Sequence, residues 1–187
     1  VGVKYIMITG SPTWISNHTA DDAANITITS GIDSTYSAYL LVMTDMHPES
    51  STQAFAFNTD HSATDYDNPH CSTNILWQYN DDDSGASFSQ EGGILWDNQT
   101  TPVEMTKRIG NGTYSTMNGI FYIYDPSTAT TETQYMWHIS SYTDGDDGTV
   151  GTWNNAKENG AGTISKIRFV ANGGGNITGT INMYGVS

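Results

Sequence analysis

Twenty acidic side chains dominate the chemistry available to this chain. Glycosidic-bond hydrolysis needs two carboxyls held about 5–10 Å apart, one of them with a raised pKa. Only Asp97, beside Trp96, sits in a hydrophobic sequence context, so no such pair is recognisable. Two acidic turns, Asp81, Asp82, Asp83 and Asp144, Asp146, Asp147, offer the oxygens a hard cation collects. Neither turn has the spacing and distal Glu of an EF-hand, and solvated turn acids are the simpler reading. His47, His61 and His70 fall in predicted loops without the Cys or His spacing of a zinc site, and His138 falls inside a predicted strand. No residue is therefore assigned as catalytic, cofactor-binding or metal-binding, and no enzymatic activity is expected.

The other chemistry-bearing residues are tryptophans, at positions 14, 77, 96, 137 and 153. Exposed indole rings stack on sugar faces while Asn or Asp side chains hold hydroxyls. Most of these residues lie in predicted strands, where burial in a sandwich core is the commoner fate. Trp14, Trp96 and Trp153 are retained as candidates for stacking on a glycan. The Asn-x-Thr sequons at Asn17, Asn25, Asn98, Asn111 and Asn176 are what a β surface rich in Asn and Thr generates by chance. Cys71 is the single cysteine, so no intramolecular disulfide forms, and a small buried or half-buried side chain is expected there.

These residues are positioned by strands. The C-terminal stretch is read as two antiparallel strands joined by the turn Gly173, Gly174, Gly175, because glycine alone accepts positive φ at little steric cost. In the second strand Ile177, Gly179, Ile181, Met183 and Gly185 share one face, the period of two that a half-buried core strand requires. In the first, Ile167, Phe169 and Ala171 share a face, and Ile164 falls out of phase, which implies a bulge near Ser165. Further strands are expected over Val3 to Thr9, Asn25 to Ser30, Tyr36 to Met46, Gln53 to Asn58, Asn74 to Tyr79, Ala86 to Ser89, Gly93 to Trp96, Asn118 to Tyr124, Gln134 to Tyr142 and Thr149 to Trp153. The dense runs AYLLVM and GIFYIY read as strands buried on both sides. Ser16 to Ala24 reads as a polar stretch in which Asp21 and Asp22 cap at most a helical turn, and Thr59 to Thr73 as a long surface loop.

The length of 187 residues fits one domain spanning 1–187 that buries a core without metal or disulfide staples. Low hydrophobic content (36%) with 11% aromatics and 19 glycines, the apolar runs short and broken by turn residues, marks an all-β chain rather than a disordered one. The expected architecture is all-β, an antiparallel two-sheet β-sandwich of jelly-roll type. A formal charge of −14 repels nucleic acid and anionic lipid surfaces, so neither is an expected partner. No apolar run approaches the roughly 20 residues of a membrane-spanning helix, and no signal peptide opens the sequence, so a soluble protein is expected. The numbering starts at Val1, so either the initiator was removed or some N-terminal residues are missing.

Three stretches carry a resemblance. They are GIDSTYSAYLLVM at Gly31 to Met43, NGIFYIYDPS at Asn118 to Ser127, and ISKIRFVANGGGNITGTINMYGV at Ile164 to Val186. In this order the chain resembles a recurrent family of β-rich virion structural proteins of tailed bacteriophages, especially those of marine and cyanobacterial hosts. The first stretch matches through Gly31, Tyr36 and Leu40 to Met43, and the second through Gly119, Ile120, Tyr122 and Asp125. The third, the most specific, matches through Gly175, Asn176, Gly179, Thr180, Ile181, Met183, Tyr184 and Gly185. The resemblance implies a protein on the virion surface, as a capsid decoration protein or a head- or tail-fibre appendage, with no enzymatic motif. It also implies a homo-oligomer, commonly a trimer, with the major capsid protein or other virion proteins, or a host surface glycan, as further partners. Capsid decoration is favoured over a fibre, because no coiled-coil or repeat shaft is present. The alternative from another class is a carbohydrate-binding module, which requires a cleft lined by two or more exposed Trp or Tyr rings, whereas assembly requires a flat apolar patch.

Overall fold

A computed structural model describes residues 10–50, 53–61, 66, 69–80, 85–89, 101–106, 109–112, 115–143, 148–158, 160 and 162–187. The strands expected at Val3 to Thr9 and Gly93 to Trp96, both acidic turns, and Asp97 lie outside the described residues. The described chain is all-β. It forms β1 (Thr13–Ala23), β2 (Ile26–Ile28), β3 (Ala38–Pro48), β4 (Ala54–Asp60), β5 (His70–Asn80), β6 (Ala86–Ser89), β7 (Val103–Glu104), β8 (Met117–Tyr124), β9 (Gln134–Thr143), β10 (Gly148–Glu158), β11 (Lys166–Asn172) and β12 (Ile177–Val186). These build two antiparallel sheets, one of eight strands in the order β1-β12-β3-β8-β9-β10-β5-β6 and one of four in the order β2-β11-β4-β7. The sandwich expected from patterning is therefore present.

The alternation read from sequence explains how the sheets meet. The inner face of the large sheet carries Tyr39, Leu41, Met43, Phe121, Ile123, Tyr135, Trp137, Ile139, Ile181 and Met183, all essentially buried. The small sheet answers with Ile26, Ile28, Phe55, Phe57, Ile167, Phe169 and Ala171. Phe57 lies at the centre, its ring centroid 4.8 Å from that of Phe121 and 5.5 Å from that of Trp137. Such tilted and edge-on contacts add to area burial because ring edges and faces carry opposite partial charge.

Several expectations are corrected by this arrangement. β11 and β12 do not form a hairpin: β11 pairs with β2 and β4 in the small sheet, and β12 with β1 and β3 in the large one. The glycine turn instead carries the chain from one sheet to the other, with Gly173 and Gly174 at positive φ. No bulge occurs at Ser165, which precedes β11, and the register of β11 on β4 is unbroken. Register shifts lie elsewhere, one of them where Gly179 (φ 143°) of β12 faces Asp45 (φ 52°) of β3. AYLLVM and GIFYIY are buried on one face only, because none of the described residues covers the outer face of the large sheet at these strands. The polar stretch expected over Ser16 to Ala24 holds no helical turn and belongs, up to Ala23, to the edge strand β1, and Thr149 to Trp153 is the first half of a longer strand. The loop expected over Thr59 to Thr73 is cut at both ends, since Thr59 and Asp60 finish β4 while His70 to Thr73 begin β5.

The three stretches that carry the resemblance lie side by side, as β12, β3 and β8, and the first and last also meet through their glycines. A Cβ built on Gly185 would stand 2.3 Å from the Tyr36 ring, and one on Gly31 (φ 85°) would stand 2.8 Å from Met183 Cε. The spacing of these glycines thus follows from the contact between the first and last stretches.

Candidate binding surface

The outer face of the large sheet is where side-chain chemistry meets solvent. Of the candidates named from sequence, Trp14 (60% exposed) and Trp153 (58% exposed) both project from it, and Trp96 lies outside the described residues. Trp77, expected to be buried, is exposed there too, whereas Trp137 is fully buried. Pairing register places Phe88 opposite Trp77, Trp77 opposite Gly151, and Trp153 between Ile75 and His138. His138 bridges the two indoles, its ring centroid 5.7 Å from each. Ile75, Trp77, Tyr79 and Phe88 form an apolar corner on β5 and β6, with Phe88 77% exposed near the sheet edge. Isolated exposed hydrophobics are ordinary, but a contiguous aromatic patch marks a site of association.

Gly151 keeps that corner flat. A Cβ at this position would stand 2.1 Å from the Trp77 ring, which therefore lies down across the strand. Gly151→Ala is expected to lift the Trp77 ring, changing the near-ultraviolet circular dichroism and Trp emission while leaving the far-ultraviolet strand signal intact. Unchanged near-ultraviolet spectra would show that the ring does not rest on Gly151.

Beside the corner, a shallow groove of about 650 Å³ runs over β8, β9, β10 and the start of β5. Trp153 and Tyr124 line it on strands two apart, with Met136, Asn155, Gln134 and Thr73 between and beside them. Tyr124 is stacked on Tyr122 at 5.7 Å, and burial, then the neighbouring Tyr122, raises the Tyr124 pKa, so the phenol keeps its proton at neutral pH. Lys157 also lines the groove, and its Nζ lies 2.5 Å from Glu132 Oε2. Cys71, free and half-buried as expected, borders the same groove.

A buried polar cluster lies on the inner face beneath the same strand ends. Glu158, at the end of β10, is 1% exposed and paired in register with His70 at the start of β5. Its carboxylate accepts hydrogen bonds from Thr59 Oγ1 of β4 and from Tyr135 Oη of β9 at 2.7 Å. His61 Nε2 lies 2.6 Å from its second oxygen and His70 Nε2 3.7 Å from the first. Burial first, and the adjacent Glu158 carboxylate next, push the Tyr135 phenol well above its ordinary pKa, so it remains a donor. This cluster ties both sheets together. Sequence alone places His61 and His70 in a loop; the pairing of β10 with β5 brings His70 to Glu158, and the packing of the small sheet on the large one brings His61 there. No group of three or more His, Cys, Asp or Glu side chains is placed to hold a metal ion among the described residues.

No known protein family, curated protein or solved structure matches this chain. The class it is assigned is that of its fold, an antiparallel two-sheet β-sandwich.

Proposed function

We propose that the chain is a non-enzymatic virion surface protein of a tailed bacteriophage, a capsid decoration protein or head- or tail-fibre module that assembles as a homo-oligomer, most simply a trimer. The observation that carries assembly is the apolar corner of Ile75, Trp77, Tyr79 and Phe88, displayed on flat β structure. Burying such rings between copies releases water from apolar surface, at roughly 25 cal/mol per Å², and aromatic side chains dominate the cores of protein interfaces. The acidic remainder of the surface keeps molecules apart unless the corners meet. The phage setting is supported by the three resembling stretches alone.

Strand order supports a jelly-roll kernel within the sandwich. In chain order, β1, β3, β8 and β12 lie side by side in the large sheet while β2, β4, β7 and β11 make the small one. This alternation between two sheets of four is what a double Greek key produces, an architecture common in viral capsid proteins. β5, β6, β9 and β10 extend the large sheet beyond this kernel, and they carry the apolar corner.

The test is light scattering at low and high salt. The wild type is expected to be a stable oligomer in both, and the double variant Trp77→Ser, Phe88→Ser a folded monomer. A wild type that is monomeric at every concentration would overturn the assembly reading.

A further inference from the structure

We propose that the groove between Trp153 and Tyr124 is a binding site for a short neutral oligosaccharide. This goes beyond assembly and uses the part of the outer face that adjoins the Trp77 and Phe88 corner. Tyr124 is level with Gln134 and Lys157, four residues along β10 from Trp153, so at about 3.4 Å per residue and 4.8 Å per strand the two rings are rooted roughly 17 Å apart. That span suits a short run of sugar rings, with a C–H face stacking on aromatic carbon at either end as other apolar surfaces do.

The groups between and beside the rings match the rest of a sugar. Asn155, opposite Met136 and Thr73 in register, and Gln134, opposite Tyr124, each offer an amide that both donates and accepts. Vicinal hydroxyls need that combination, because each hydroxyl also donates and accepts. Tyr124 adds a protonated phenol, and Thr73 a hydroxyl.

Charge decides which sugar. Lys157 is the one Lys, Arg, Asp or Glu side chain in the lining, and it is paired with Glu132, so the lining is close to neutral. The chain as a whole carries −14. A sialylated, sulfated or phosphorylated glycan would be repelled by that field and would find no unpaired cation in the groove, whereas a neutral one is indifferent to it. The lining residues sit on hydrogen-bonded strands whose ends are held from below by the Glu158 cluster, so little ordering cost falls on the protein when a ligand binds.

The experiment is a printed array of neutral, sialylated and sulfated oligosaccharides probed with labelled full-length protein, followed by saturation-transfer NMR on the best neutral hit. Binding confined to neutral glycans is expected, with Trp153→Ala weakening it about tenfold or more, as removal of a central aromatic contact does. Asn155→Ala is expected to weaken it several-fold. Both variants should keep the melting temperature and oligomeric state of the wild type, and Trp77→Ser, Phe88→Ser should keep sugar binding while losing assembly. Absence of binding to any neutral glycan, preference for anionic ones, or full affinity in Trp153→Ala would each overturn the proposal and leave the assembly reading untouched.

Discussion

Glu158→Ala is expected to destabilise the fold by about 3–5 kcal/mol, the usual cost of removing one partner from a buried charged network. The substitution withdraws a single acceptor from partners on two other segments: Thr59 and His61 at the end of β4, and Tyr135 on β9. Thr59 and Tyr135 are essentially fully buried, so water cannot readily replace the lost oxygen. In a chain of this size each kcal/mol moves the melting temperature by about 2–4 °C, so a fall on the order of 10 °C should be seen by calorimetry. Glu158→Gln keeps the shape and one carbonyl acceptor, and should lie between wild type and alanine. A fall of less than about 2 °C in the alanine variant would show that the cluster does not hold the sheets together.

Trp137→Ala is expected to cost about as much, roughly 3–5 kcal/mol, by a different route. The indole is fully buried, stacked on Phe121 with centroids 5.7 Å apart and planes 14° apart, and edge-on to Phe57. Its removal opens a cavity where the two sheets meet. It also removes one of the side chains that hold the strip after β7 onto the large sheet: Trp137 Nε1 and Thr152 Oγ1 each donate to the Met105 carbonyl at 3.1 Å, and Asn154 Nδ2 at 3.3 Å. Trp137→Phe restores much of the volume but not the donor and should recover a large part of the loss. Chemical denaturation of the three proteins measures this, and an alanine variant within about 1 kcal/mol of wild type would contradict the packing argument.

Much of the sandwich was legible because a strand with one buried face alternates. Ile177, Ile181 and Met183 on β12, and Ile167, Phe169 and Ala171 on β11, were assigned to the correct faces from spacing alone. What spacing could not show is that these adjacent strands belong to different sheets. A hairpin and a crossover present the same alternation, and only the partners available to β11 distinguish them. Strand β1 was missed because an edge strand paired on one side buries little, so its sequence TWISNHTADDA shows no apolar repeat.

The candidate surface divided in the same way. Trp14 and Trp153 could be named from residue type, but Trp77, Tyr79 and Phe88 could not be told from core residues. In NILWQY both alternating sets contain large apolar side chains, Ile75, Trp77 and Tyr79 on one and Leu76 on the other, so the pattern does not say which set faces water. Packing decides: Leu76 is buried, and Thr152, opposite it in register, donates to the carbonyl of Met105 in the strip after β7, so that side faces inward and Ile75, Trp77 and Tyr79 face out.

By itself the sequence determined the all-β class, the faces of the C-terminal strands, the acidic field that disfavours nucleic acid, and the stock of indole rings. Those properties are local or additive, and composition and period carry them. Tertiary structure alone decided that β11 and β12 part company, that Glu158 meets His61 and His70, and that the aromatic rings of β5, β6, β8 and β10 share one uncovered face. Each of these depends on which strands become neighbours, a choice made by the packing of the two sheets and not by any single stretch of chain.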